Sequence, residues 1–381
     1  MDFELSEQQG AVRDLARKFA QRDVAPRAQR IDDKAEFDWD LHRRAAELGL
    51  VGMTAPEAYG GSGADTVTWC VAIEEVAKAS SAVANGLTLT ESMVHYVATL
   101  GNEQQKRTYL PPLASGKKIC AFGLTEPDAG SDAASVSTTA RRDGESFVLN
   151  GRKMFISGAG VADLFLIVAT VDKAQRSKGV RTFIVEKGTK GLTLGGKLDL
   201  MGMRGFATEP VFLEDCRVPI SHQLGGEDGF RNVMRGLDGA GRLGAASMAV
   251  GTAQAAMDAA LAHARQRRQF GRPIFDFQAV QFMLADMSTE IDAARLLVWK
   301  AASRRDAGLP FTKESSHAKL FAADMCVRNV SNAMQVFGGY SYSKEYPIER
   351  HYRDAKVHQI WDGTSQIQRI IIARQLAQEV S

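Results

Sequence analysis

The chain has 381 residues, 45% hydrophobic and 24% charged, enough for two or three subdomains around a large buried core. A net charge of +2 without a dominant Lys/Arg block argues against a nucleic-acid protein, and no run of about 18 apolar residues marks a membrane span. Cys70, Cys120, Cys216 and Cys326 lie far apart outside any CxxC pattern, which fits unpaired core thiols in a reducing compartment better than a disulfide or zinc framework.

The start, MDFELSEQQ, is acidic and at once helical, unlike a signal peptide or an arginine-rich transit segment, so a soluble cytoplasmic protein is expected. Residues 1–118 read as an N-terminal α-helical domain. Ser6 with Gln9 has the form of a capping box, followed by Val12, Leu15, Ala16 and Phe19 at helical spacing. Asp40 is expected to cap a second helix through Leu50, and helices follow over 67–79, 84–100 and 103–114, the last ended by Pro111 and Pro112. Residues 119–225 read as a central β-domain. Asp143-Gly144 and Asn150-Gly151 are hairpin signals, and strands in uninterrupted series predict an antiparallel barrel or sandwich. Residues 226–381 read as a C-terminal helical bundle, with helices over 231–268, 277–307, 312–337 and 366–379. Thr364 or Ser365 caps the last one, and Ser365 with Gln368 again has capping-box form. The fold class is therefore α+β.

Few motifs carry chemistry by themselves. Gly239, Gly241 and Gly244 match GxGxxG, but no strand precedes them and no βαβ unit follows, so a dinucleotide fingerprint fails its context. Glycines that let a helix begin close to a ligand fit better. The seven histidines lack metal-ligand spacing, and no metal is expected. The segment LTEPDAGSD, from Leu124 to Asp132, is dense in turn residues. Its backbone N–H groups at Gly130 and Ser131 suit a polar cofactor edge, and the strand MFIS, with Phe155 and Ser157, can face the same ring.

LTEPDAGSD, MFISGAG, MGMRGFATEPVFLEDCRVP, RRQFGRPIFDFQAVQFMLADM and QVFGGYSYSKEYPIERHYRDAKVHQIWDGTSQIQR, in that order and spacing, resemble the acyl-CoA dehydrogenase family over essentially the whole chain. The resemblance implies helical, β and four-helix-bundle domains, FAD as cofactor, an acyl-CoA substrate, and an electron-transferring flavoprotein as acceptor. It also implies a homotetramer built as a dimer of dimers. Phe122, Leu124 and Thr125 would line one edge of the flavin, with Phe155 and Ser157 on the other side; Phe155 stands where the family often has Trp. Ser131 would bond the flavin pyrophosphate or lie near the acyl-CoA. Arg267, Gln269, Phe270, Gln335 and Gly339 would meet the ADP half of a neighbouring subunit's FAD, while Thr364 and Gln366 hold FAD from the last loop. Arg242 would pair with the CoA phosphates.

The implied reaction removes an α-proton with a carboxylate and passes the β-hydride to flavin N5, giving an enoyl-CoA, on a branched or alicyclic acyl group in one version. The thioester carbonyl is polarised by hydrogen bonds, one of them from the base residue's own N–H. In the family the base before Gly-Thr-Ser is usually Glu; here it is Asp362, with Gly363 next to it at the substrate. Asp-Gly is also a common turn pair. Glu91, in a stretch that lines the deep end of the family's acyl pocket, is a second candidate base and otherwise a surface residue. Two other readings use the same fold: a nitroalkane-oxidase-like flavin oxidase with an Asp base, and a non-catalytic acyl-CoA-binding flavoprotein. The charged run EYPIERHYRDAK reads as a solvated or interface face.

Overall fold

The computed structural model describes residues 4–379. Six helices open the chain: α1 Glu7–Phe19, α2 Ala25–Lys34, α3 Trp39–Glu47, α4 Thr66–Ala79, α5 Ser81–Leu100 and α6 Glu103–Ala114. Ser6 and Gln9 do form a reciprocal capping box. The cap of α3 is Asp38, two residues ahead of the expected Asp40: its carboxylate accepts the Leu41 N–H at 3.1 Å, and Asp40 instead pairs with Arg43. Pro111 and Pro112 sit inside the last turn of α6 and do not end it before Ala114. They lack N–H groups, yet their carbonyls accept from Ser115 and Lys118 beyond the helix.

The middle strands are β1 Cys120–Gly123, β2 Thr139–Asp143, β3 Ser146–Ser157, β4 Leu164–Thr170, β5 Val180–Glu186, β6 Leu192–Leu194, β7 Thr208–Pro219 and β8 Gln223–Leu224. They form one sheet in the order β6-β7-β3-β2-β4-β5-β8, with β1 paired to β4. The antiparallel expectation holds for most pairs. It fails at β1–β4, which is parallel, and where β2 meets β4. Asp143-Gly144 makes the β2–β3 hairpin. Asn150-Gly151 makes no turn: β3 continues through it with a bulge against β7. Gly151 is needed there because a Cβ would lie 2.5 Å from the Thr138 hydroxyl.

The remaining helices are α7 Phe230–Gly236, α8 Arg242–Gln266, α9 Gln278–Asp306, α10 Thr312–Phe337, α11 Ile348–Ala355 and α12 Ser365–Glu379. A π turn, Leu237–Gly241, joins α7 to α8, so the helical path runs unbroken through the glycine motif instead of starting there. Gly239 and Gly244 of the motif, with Gly236 before it, serve close packing: a side chain at Gly236 would overlap Tyr96, one at Gly239 would overlap His95, and one at Gly244 would overlap Thr88, all on α5. One continuous apolar core joins α1–α5 to α8–α11, which places α5 against the start of α8.

Of the two readings of the charged run, solvated or interface, α11 fits the interface one, although Glu345, Tyr352 and Lys356 are exposed. Ile348, Arg350, His351, Asp354 and Ala355 are buried where the three domains meet. Arg353 forks onto Asp32 of α2 at 2.6 and 2.9 Å and reaches the Met201 carbonyl, while Asp354 accepts the Met203 N–H at 2.6 Å. Burial pushes the Asp354 carboxyl up to about 6 against that bond. The α11 helix thus ties both neighbouring domains to the segment leading into WDGTSQ.

Candidate active site

Asp362 stands in the left-handed region at φ +51, followed by Gly363 at +88. An aspartate at positive φ is uncommon, and two such residues in succession need anchoring from outside. The Gln368 amide donates to the carbonyls of Asp362 and Gly363, both at 3.0 Å, and the Lys319 ammonium donates to the Gly363 carbonyl at 2.7 Å. Thr364, not Ser365, caps α12 by accepting the Ile367 N–H at 3.2 Å. The Ser365 hydroxyl goes to Asp324, so the Ser365–Gln368 capping box does not form.

This loop aims the Asp362 carboxylate at the π turn. A Cβ at Gly241 would lie 3.3 Å from its Oδ1 and 3.4 Å from Leu237. Burial raises the Asp362 carboxyl above its ordinary range, against the opposing pull of Lys319 and Arg242. Leu237 and Phe122 both pack against the buried cluster of Leu124, Val136, Val168, Val180 and Val233, and the Phe122 ring lies 5.2 Å from Tyr96. Asp362 thus stands beside the turn whose Leu237 packs on the β-domain cluster that contains Leu124.

The β-domain wall is set by an ion pair that the sequence reading missed. Lys153 and Glu126 meet at 2.7 Å with both side chains almost fully buried. The Lys153 ammonium also donates to the Leu124 carbonyl, and the Glu126 carboxylate accepts from Ser137 and Thr138. Burial would raise the Glu126 carboxyl, but Lys153 and these donors hold it down to about 2. Burial draws the Lys153 ammonium down to about 8 against the pull of Glu126. The Met154 N–H binds the Thr125 carbonyl at 2.8 Å, which sets Thr125 beside Phe155. Phe155 itself has φ +59 and is 58% exposed. Ser157 pairs with Thr208 of β7, and Ser131 is exposed on the turn. An exposed aromatic beside hydroxyls, with open space at Gly130, fits the polar and flat surfaces of a flavin.

Other expected residues lie elsewhere. Arg267, Gln269, Phe270, Gln335 and Gly339 are exposed at the far end of α8, where the Arg267 guanidinium sits 5.4 Å over Tyr340. The 25 residues of α8 separate this cluster from Gly241 by about 37 Å. Gln366 is exposed on α12. Arg242, expected at the CoA phosphates, is 1% exposed and paired with Asp238 near Asp362. Glu91 is not a surface residue either. It is 1% exposed, and its carboxylate accepts the Thr54 N–H at 2.9 Å and the Thr54 hydroxyl. Burial raises its carboxyl against these bonds and the charge of Arg305.

The four cysteines are buried and unpaired. Among the described residues no cluster of His, Cys, Asp and Glu could hold a metal ion, and no helix is long and apolar enough to cross a membrane.

Family models for the acyl-CoA dehydrogenase N-terminal, middle and C-terminal domains match residues 6–117, 121–216 and 227–377. The probable acyl-CoA dehydrogenase YngJ of Bacillus subtilis is 46% identical, over 99% of this chain and 100% of its own. The caffeyl-CoA reductase-Etf complex subunit CarC of Acetobacterium woodii is 41% identical, over 97% of this chain and 98% of its own. The solved butyryl-CoA dehydrogenase of Megasphaera elsdenii superposes with a TM-score of 0.96 at 41% identity, covering 99% of this chain and 100% of that one. Fold and matches together define an oxidoreductase acting on CH–CH groups. The chain belongs to the acyl-CoA dehydrogenase family, whose members are flavoproteins.

Proposed function

We propose that this chain is an FAD-dependent acyl-CoA dehydrogenase in which Asp362 removes the α-proton of the acyl thioester. The observation that carries this reading is the Asp362 carboxylate, desolvated and held over Gly241 by a loop whose carbonyls are anchored elsewhere. When bound, FAD supplies the acceptor for the β-hydride. Asp362 is one methylene shorter than glutamate, so the reacting carbon must lie close to the π turn. The Asp362 N–H makes no hydrogen bond within the described residues, which leaves it available to the thioester carbonyl as the enolate forms. Thr125, Phe155 and Ser157 from the β-domain, with Thr364 and Gln366 from the last loop, would hold the ring.

The exposed cluster around Arg267, Gln335 and Gly339 is too far along α8 to serve the same cofactor's ring end, which supports its use by a second subunit. Phe270 at 93% exposure and Phe282 at 62% supply apolar area for such an assembly, in keeping with a homotetramer. Reducing equivalents would pass to an electron-transferring flavoprotein, as the complex named for the Acetobacterium woodii relative suggests.

Anaerobic mixing with a panel of CoA thioesters (short linear, branched, dicarboxyl, aryl and alicyclic), followed at the flavin absorbance, tests the reading. Bleaching by at least one thioester is expected. Bleaching by a nitroalkane alone would make the protein a nitroalkane-oxidase-like enzyme, and tight CoA-ester binding without bleaching would make it a binding module. The Glu91 carboxylate is engaged by Thr54, so Glu91→Gln should leave kcat on linear thioesters unchanged. A loss confined to ring or unsaturated acyl groups would instead give Glu91 a proton-removing role.

A further inference from the structure

Lys319 anchors the Gly363 carbonyl, yet its placement is costly. Its side chain is fully buried in α10, and among the described residues its only side-chain hydrogen bond is to the Gly363 carbonyl at 2.7 Å. No carboxylate lies within ion-pair distance among the described residues. A buried ammonium with one neutral acceptor is expensive to desolvate, and an apolar side chain of similar size would serve packing better. The same helix grips the loop a second time through Asp324. Its carboxylate accepts from Gln359 before the loop and from Ser365 and Arg369 after it, at 2.8 to 2.9 Å.

Peptide planarity gives these contacts a direction. A trans peptide points its C=O and N–H to opposite sides. Pinning the Asp362 and Gly363 carbonyls toward Gln368 and Lys319 turns the N–H groups of Gly363 and Thr364 away from those two side chains. It also fixes the two left-handed residues from which the Asp362 side chain projects. Gly363 has to be glycine for the clamp to close, since a Cβ would lie 2.7 Å from the Gln368 amide nitrogen.

Resting on the proposed reaction, we infer that Lys319 is a positioning residue for the base: it holds the Asp362–Gly363 backbone in its strained conformation and sets a positive charge behind the carboxylate. The groups facing it are Asp362 on the loop, Arg242 on α8, Asp324 on its own helix, and the buried His358 ring, whose two nitrogens have no protein partner. Burial lowers the Lys319 ammonium to about 8, against the pull of Asp362. Below that pH the residue is charged, and the charge is lost as pH rises through it.

Two substitutions separate donor from charge. Lys319→Gln keeps an N–H donor without the charge, and Lys319→Met removes both. In Lys319→Met, kcat should fall by about 100-fold with KM little changed, the cost of a misplacement near 1 Å. Lys319→Gln should fall less, and it should lack the decline of kcat above about pH 8 that loss of the Lys319 charge should give the wild type. Hydrogen exchange followed by mass spectrometry on the purified protein gives a second readout. Amides of 361–368 should exchange faster in Lys319→Met, while those of α8 and α9 stay as in the wild type. The inference is overturned if both variants match the wild type in kcat, pH profile and exchange. It is equally overturned if exchange rises throughout the bundle, which would mark Lys319 as packing alone. A wild type inactive on every thioester would sink the proposed reaction but leave the exchange test of the clamp standing.

Discussion

Asp362→Asn should reduce kcat by about 10²- to 10⁴-fold, the usual contribution of a positioned general base, and leave thioester binding within a small factor of wild type. The substitution preserves the size of the side chain facing Gly241 and removes only its capacity to take a proton. Rate should rise with pH through the Asp362 titration, because the base works deprotonated. Burial places that limb above the ordinary carboxylate range despite Lys319 and Arg242 nearby. The residual activity of Asp362→Asn should show no such limb. Stopped-flow measurement of flavin reduction across pH, on whichever thioester bleaches the wild type, checks both points. An Asn variant that retained full rate would remove Asp362 from the chemistry and return attention to Glu91.

Legibility followed sequence separation. The capping box at Ser6 and Gln9 and the turn at Asp143-Gly144 were readable because their partners are three or fewer residues away. The same rule misled at Asn150-Gly151, where a dipeptide with hairpin chemistry is needed for a close approach to Thr138 across the sheet. At α11, charges that look solvated in sequence are matched by Asp32, 321 residues earlier, and by a backbone N–H at Met203. Periodicity cannot reveal such partners. The partner of Arg242 was hidden in another way: the family resemblance assigns it to the CoA phosphates, whereas the fold pairs it with Asp238, four residues before it on the helical path. The base itself was legible as one aspartate before Gly-Thr. What holds it was not, because a lysine inside a helix reads as a surface residue until the fold shows the carbonyl it serves.

The second large effect is expected at Lys153. Lys153→Met leaves the Glu126 carboxylate buried without its counter-charge, and loss of one partner from such a pair costs about 3–5 kcal/mol. The pH dependence carries a sign. In the wild type the Glu126 carboxyl is held to about 2, below its unfolded value of 4.5. It therefore contributes stability that is fully present above 4.5 and is lost as pH falls toward 2. In Lys153→Met burial prevails, the Glu126 carboxyl rises above its unfolded value, and the variant loses stability as pH climbs from acid to neutral. The gap between the two proteins in thermal unfolding should thus be widest at pH 7 and shrink steadily as pH falls toward 2; a gap constant across that range would mean the loss is one of packing alone. Adding Glu126→Gln to Lys153→Met should recover most of the stability, since no buried charge is left unpaired. It should not recover full turnover, because the Leu124 carbonyl still lacks the Lys153 donor that fixes the strand end beside Phe122 and Thr125. Stability and activity then part company in one double variant, which separates holding the β-domain together from shaping its cofactor face.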